Sequence, residues 1–301
     1  MKSSLSEVKV DRRKKQFKHI RRLSSIFALP AILIQLIFGW FPILTAFIIA
    51  FQKFYIFRTP PFVGLDNFKF FLSHNPLTSV VFRNTLYYTV LSLGLVFLIP
   101  IFVAIFLLEM KKSIIRIMMI LWFIPVASMA GIIIWKWFYN PQYGLFNGIL
   151  VSLGFPSLRW LDDPRLAMFC LVLPGLIMYG PGLIYIATLQ SIPEELYEAA
   201  ELEGVDFWGK IWYISLPRMR PIMAMMLILA VIGNLQVFTQ PYVMTGGGPN
   251  FATYTVVMYV FDLAFREMAF GKATALAIIL FFIIMTLVII QRKYFKENID
   301  V

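Results

Sequence analysis

The chain has 301 residues, 60% of them hydrophobic and only 14% charged, with a mean hydropathy of +0.78. Polar groups are too few to cover a soluble domain of this composition, so the chain reads as a membrane protein. Its net charge of +11 is then a statement about topology and anionic lipid, and no nucleic-acid partner is expected.

A basic arm, residues 1–25, comes first and carries nine Lys and Arg: Lys2, Lys9, Arg12, Arg13, Lys14, Lys15, Lys18, Arg21 and Arg22. Six apolar blocks follow, at 26–50, 84–108, 117–138, 166–190, 221–243 and 272–291, with a tail at 292–301. Each is near the ~20 residues that cross ~30 Å of hydrocarbon. Backbone groups in lipid must bond within their own segment, so the blocks predict an all-α integral membrane protein of six transmembrane helices. The first block exceeds the apolar core of a cleaved signal peptide and leads into Phe51-Gln52-Lys53-Phe54, which offers no small-residue cleavage site. Cys170, the one cysteine, lies within the fourth block and reads as a small buried apolar side chain. His19 and His74 stand apart from one another and from acidic clusters. No metal site is expected.

Two blocks carry features beyond hydropathy. The fourth holds Pro174, Gly175, Gly180, Pro181 and Gly182, which predict a kink near mid-span. Such breaks can expose backbone groups to a polar cavity, or simply let helices pack closely. The fifth holds Asn234, Gln236, Thr239 and Gln240. Uncharged amides and hydroxyls suit sugar hydroxyls and are costly against lipid, so they are expected to face the bundle interior, for solute or for neighbouring helices. No block carries a charge near its centre, which disfavours a strongly anionic solute.

Basic residues set the orientation. Beyond the arm, Lys111, Lys112 and Arg116 follow the second block, Lys210, Arg218 and Arg220 the fourth, and Arg292, Lys293 and Lys296 the sixth. This predicts cytoplasmic termini and a cytoplasmic segment 191–220.

That segment contains Glu194, Glu195, Glu198, Glu201, Glu203 and Asp206, and also Gly204-x-x-x-x-Gly209-Lys210. A phosphate loop would need Ser or Thr after the lysine, but Ile211 stands there, and Phe207 and Trp208 fill the loop. Two short helices are predicted instead. Ser191 would cap the first with Glu194 reaching back, Gly204 would stop it, and Asp206 would cap a second ending at Leu216-Pro217. Six acids beside anionic lipid favour docking into a protein groove over resting on the membrane. The adjacent Ala199 and Ala200 would allow a close approach.

Glu198-Ala199-Ala200, then Gly204, then Ile214-x-Leu216-Pro217 resemble the coupling loop of binding-protein-dependent ABC importer permeases, with Glu203 and Val205 departing mildly from the common pattern. Phe62-Val-Gly-Leu-Asp-Asn-Phe68, Arg83-Asn-Thr-Leu86, Trp135-x-Trp137-Phe138, Gly144-x-x-Asn147, Leu189-Gln190-Ser191-Ile192-Pro193 and Thr245-Gly-Gly-Gly-Pro249 extend the likeness over most of the chain, toward the maltose-permease-like first subunit of a heterodimeric carbohydrate importer. The resemblance implies a type I permease fold in a bacterial or archaeal cell membrane, with no catalysis and no cofactor in this chain. It also implies a second permease subunit, two cytoplasmic ATPase subunits that bind ATP and Mg, and an extracytoplasmic solute-binding protein. Glu198, Ala199, Ala200, Gly204, Leu216 and Pro217 would couple to the ATPase. By the same resemblance Asn234, Gly233, Val237, Tyr179 and Gly180 would lie along the solute path. The family also moves glycerol phosphates and uronate polymers, and an ion-gradient transporter is the more distant alternative.

Overall fold

The computed structural model describes residues 28–54, 59–108, 110–123, 129–178 and 182–296. Four of the described helices are long and apolar enough to cross a membrane: Ala28–Ala50, Pro76–Leu107, Phe207–Met244 and Phe270–Phe295. Ile34, Phe38, Phe41 and Ile48 on the first are largely exposed, as a lipid-facing helix requires. Phe47 on this helix stands edge-on to both Phe281 and Phe282, at 6.2 and 6.4 Å.

The other two expected blocks are built from shorter helices. Lys112–Phe123 and Met129–Phe138 occupy 117–138, whose middle, 124–128, lies outside the described residues. Ala167–Val172, Pro174–Met178 and Gly182–Gln190 occupy 166–190. The first interruption falls at Pro174, which has no N–H for the helical ladder, while Leu173 keeps helical dihedrals (φ −53°, ψ −41°). Residues 179–181 lie outside the described residues, and with them Tyr179 and Gly180.

Hydropathy misplaces the start of the second block. The helix expected from residue 84 begins at Pro76, because Asn75 is its N-cap: the side chain accepts the Leu77 N–H at 2.9 Å, and Pro76 occupies the first turn. The Asn-Pro pair was the available signal, masked by the polar run that follows it.

Three clusters hold the bundle. At the end bearing the acidic segment, Ile101, Ile105, Tyr185, Leu189, Ile211 and Met219 pack together. At the opposite end, Tyr139, Met168, Cys170, Leu171 and Val237 form a second cluster, so Cys170 is the buried apolar side chain expected. Val256, Tyr259, Leu263, Leu276 and Ala50 form a third.

Asparagines knit that opposite end. Asn67 donates to the Ala50 and Gln52 carbonyls at 2.8 and 3.0 Å, closing the end of the first helix. Asn84 donates to the Phe251 and Tyr254 carbonyls, and Thr85 accepts from the Val256 N–H. Asn147 donates to the Pro141 and Leu158 carbonyls and accepts from the Leu158 N–H and Trp160 Nε1, all within 3.0 Å. These family-like motif residues are therefore architectural. Asn147→Leu leaves several buried groups unpaired and is expected to cost about 2–4 kcal/mol. Thermal unfolding of the purified protein checks it; an unchanged midpoint would mean that Trp160 and Leu158 find other partners.

Candidate coupling and transport site

The acidic helix spans Glu194–Leu202. Its first residues follow from Pro193, whose dihedrals (φ −56°, ψ 130°) turn the chain into the helix without a side-chain cap. The expected capping box does not form. Ser191 instead donates to the Thr188 carbonyl at 2.6 Å and finishes the preceding helix.

The other end closes as the sequence predicts. Gly204 sits at φ +76°, a left-handed conformation that side chains disfavour. Its N–H reaches the Glu201 carbonyl at 3.0 Å, and the Val205 N–H reaches that of Ala200 at 2.9 Å, the paired bonds of a Schellman closure. Asp206 then accepts the Gly209 N–H at 2.9 Å and caps the next helix. A side chain at Gly209 would lie 2.5 Å from Val205 Cγ1 and 2.9 Å from Asp206 Oδ1. Turn and cap thus account for both glycines of the phosphate-loop-like spacing.

The second helix does not end at Leu216-Pro217. It runs from Phe207 through a wide, π-helical turn at Ile211–Ser215 into Leu216–Leu235. Pro217 lies in the first turn after that widening, where a missing N–H is tolerated. Leu216 and Pro217 thus lie inside one long continuous helix, not at a loop terminus.

The acidic helix does not present its two adjacent alanines on one surface. Leu196, Tyr197 and Ala200 are half-buried toward the bundle, whereas Glu195, Glu198, Ala199 and Leu202 stand free, Leu202 at 91% exposure. The two alanines therefore serve opposite sides. Glu201 pairs with Lys210 at 2.5 Å, and Tyr197 OH shares a hydrogen bond with Ser215 Oγ at 3.0 Å. An open cleft of about 820 Å³ lies behind them, lined by Ile105, Arg116, Leu189, Tyr197 and Glu201 among others.

About 40 Å along the same long helix, at ~1.5 Å per residue, regular structure stops at Leu235. Gln236 caps it (φ −103°, ψ 17°), and helix resumes at Thr239. Asn234 is half-buried, and its Oδ1 accepts from Ser92 Oγ at 3.2 Å. Its Nδ2 has no partner among the described residues. Gly233 beside it opens onto empty space. Gln240 Oε1 accepts from Tyr88 OH at 2.6 Å, and the carbonyl of buried Val237 accepts from Thr255 Oγ1 at 2.9 Å. Gln236 and Thr239 are exposed, so the polar run does not turn inward as a unit. Sequence reading missed Tyr88 and Ser92: both lie within the expected block 84–108, but their partners Gln240 and Asn234 are 152 and 142 residues away in the chain.

Long apolar helices with a separate acidic helix at one end define a multi-pass membrane protein. The chain belongs to the binding-protein-dependent transport system inner membrane component family, whose profile matches residues 73–297. It is 31% identical to the arabinooligosaccharides transport system permease protein AraP of Bacillus subtilis, over 87% of this chain and 86% of that one. It is 32% identical to the trehalose/maltose transport system permease protein MalF of Thermococcus litoralis, over 90% and 93% respectively. Among solved structures, a chain of a bacterial ABC transporter involved in import of the acidic polysaccharide alginate superposes with a TM-score of 0.82 at 23% identity, covering 94% of this chain and 99% of that one. The fold is therefore that of a type I ABC permease, and the expected family membership is borne out. The chain is a multi-pass inner-membrane component.

Proposed function

We propose that this chain is one of two different permease subunits of an ATP-binding-cassette importer, and that it passes a sugar or oligosaccharide from an extracytoplasmic solute-binding protein to the cytoplasm by alternating access. The observation that carries the reading is the free Glu198, Ala199 and Leu202 face of a helix closed by Gly204, in a chain of this family. That face suits a groove in a cytoplasmic ATPase subunit, with ATP and Mg held by the ATPase pair. The names of the relatives, arabinooligosaccharides and trehalose/maltose, support a neutral saccharide. Asn234, Gly233 and Val237 stand for the solute path, with the Asn234 amide free to bind a hydroxyl. The subunit does no bond chemistry. ATP binding draws the coupling helices of both permease subunits together and opens the solute path outward.

In this reading the chain crosses six times, over 26–291, with 1–25, 191–220 and 292–301 cytoplasmic. Trp208, Trp212 and Tyr213 at one end and Trp137 and Tyr143 at the other are exposed and sit as interfacial anchors. Cysteine at Ser73 or Asn250 is expected to label from outside intact cells, and at Ser3 or Glu203 only after permeabilisation. Outside labelling at Glu203 inverts the map. Uptake of labelled neutral oligosaccharides by the reconstituted importer tests the function directly. Uptake that needs an ion gradient instead of ATP, or that prefers uronate or phosphorylated solutes, would overturn the corresponding part of it.

A further inference from the structure

The proposed docking face can drive transport only if its displacement reaches the membrane helices, and the route is visible in side chains that the family-like motif does not include. The connection from acidic helix to fifth membrane helix, Glu203–Asp206, is short and contains the left-handed Gly204. A peptide link of that kind is a hinge when unsupported. Two cross-braces support it. Glu201 Oε1 meets Lys210 Nζ at 2.5 Å, and the Lys210 side chain is only 18% exposed. One turn back along the acidic helix, Tyr197 OH meets Ser215 Oγ at 3.0 Å, and Ser215 is 4% exposed. Residues 197 and 201 lie on one helical face, as i and i+4. Lys210 precedes, and Ser215 ends, the wide turn Ile211–Ser215 on the facing helix. Asp206 fixes the start of that helix by accepting the Gly209 N–H.

We infer that the Glu201–Lys210 ion pair and the Tyr197–Ser215 hydrogen bond lock the acidic helix to the base of the fifth membrane helix, so that the two move as one lever whose far end carries Asn234. This deepens the reading of Glu194–Leu202 as the ATPase-docking helix and rests on it. Glu201, Lys210, Tyr197 and Ser215 are positioning residues, since none of them lies on the free docking face. Glu201 itself is well exposed, and an exposed pair adds little to stability. The braces therefore act mainly on the angle between two helices.

Lever and mere fold support predict different results in the importer reconstituted with its permease partner, ATPases and solute-binding protein. Glu201→Lys and Lys210→Glu are each expected to keep the ATPases attached but to lower solute moved per ATP hydrolysed about tenfold. The double exchange should restore the ratio to within about threefold of the parent, because the ion pair re-forms with its charges swapped. Tyr197→Phe, which changes only a hydroxyl, should lower the ratio more mildly, and further when combined with Lys210→Glu. A parental ratio in both single charge variants, or no recovery in the exchange, overturns the inference. If a charge variant does not assemble, the Tyr197→Phe ratio decides alone, and a parental value refutes the brace. Failure of the docking reading is separately visible: a cysteine at Ala199 in the otherwise unaltered chain would then form no crosslink to the ATPase.

Discussion

Tryptophan at Ala199 is expected to reduce ATP-driven uptake to background while the permease still folds. Ala199 is exposed on the free face between Glu198 and Leu202, so the larger ring meets nothing within this chain. It would meet the wall of the ATPase groove, where a small residue lets the helix backbone approach closely. Ala200→Trp is expected to fail by another route. That residue is half-buried, and the ring would push the acidic helix off the bundle and lower thermal stability. Glu198→Lys should weaken ATPase attachment without that loss. Gly204→Val should destabilise the closure itself, because a β-branched residue at φ +76° is strained by about 1–2 kcal/mol. Co-purification of ATPase with each variant, set against its unfolding midpoint, separates the cases. Normal uptake by Ala199→Trp would remove this face from the interface.

Leucine at Asn234 should have the next largest effect. The parent side chain keeps Oδ1 on Ser92 and leaves Nδ2 without a partner among the described residues. Losing one hydrogen bond to solute costs around 0.5–1.5 kcal/mol, up to about tenfold in affinity, so Asn234→Ala should slow uptake by that order. Asn234→Leu should do more, because it strands the Ser92 hydroxyl and adds an apolar branch to a polar path. ATPase attachment should be unchanged in both. Uptake measured with the reconstituted complex gives the answer; parental rates for Asn234→Leu, with loss for Gln236→Leu, would shift the path to the exposed side of the break.

What the sequence made legible follows from which physical rules are local. The Gly204 stop and the Asp206 cap were readable because each depends on a few neighbouring residues, and both form. Apolar blocks were readable because lipid imposes a length. The Pro76 start was local too, but a hydropathy reading gives polar residues such as Thr78, Ser79 and Arg83 no helical weight. Ser191 had the right chemistry for a cap and found a nearer acceptor, the Thr188 carbonyl. The break after Leu235 has a local cause in Pro241, which cannot bond to the Val237 carbonyl, but the bonds around it, Tyr88 to Gln240 and Thr255 to Val237, are displayed by no window of sequence. Likewise the split of Ala199 from Ala200 depends on where Ser215 and Lys210 lie in space.

The central claim is that the face containing Ala199 engages an ATPase whose cycle drives uptake. Cysteine at Ala199, placed opposite cysteines in the groove of the ATPase subunit, tests it in one preparation of the assembled importer. The account predicts a disulfide crosslink between permease and ATPase, with uptake lost on oxidation and recovered on reduction. A complex that transports at the parental rate while crosslinked, or that never crosslinks through this face, would contradict it.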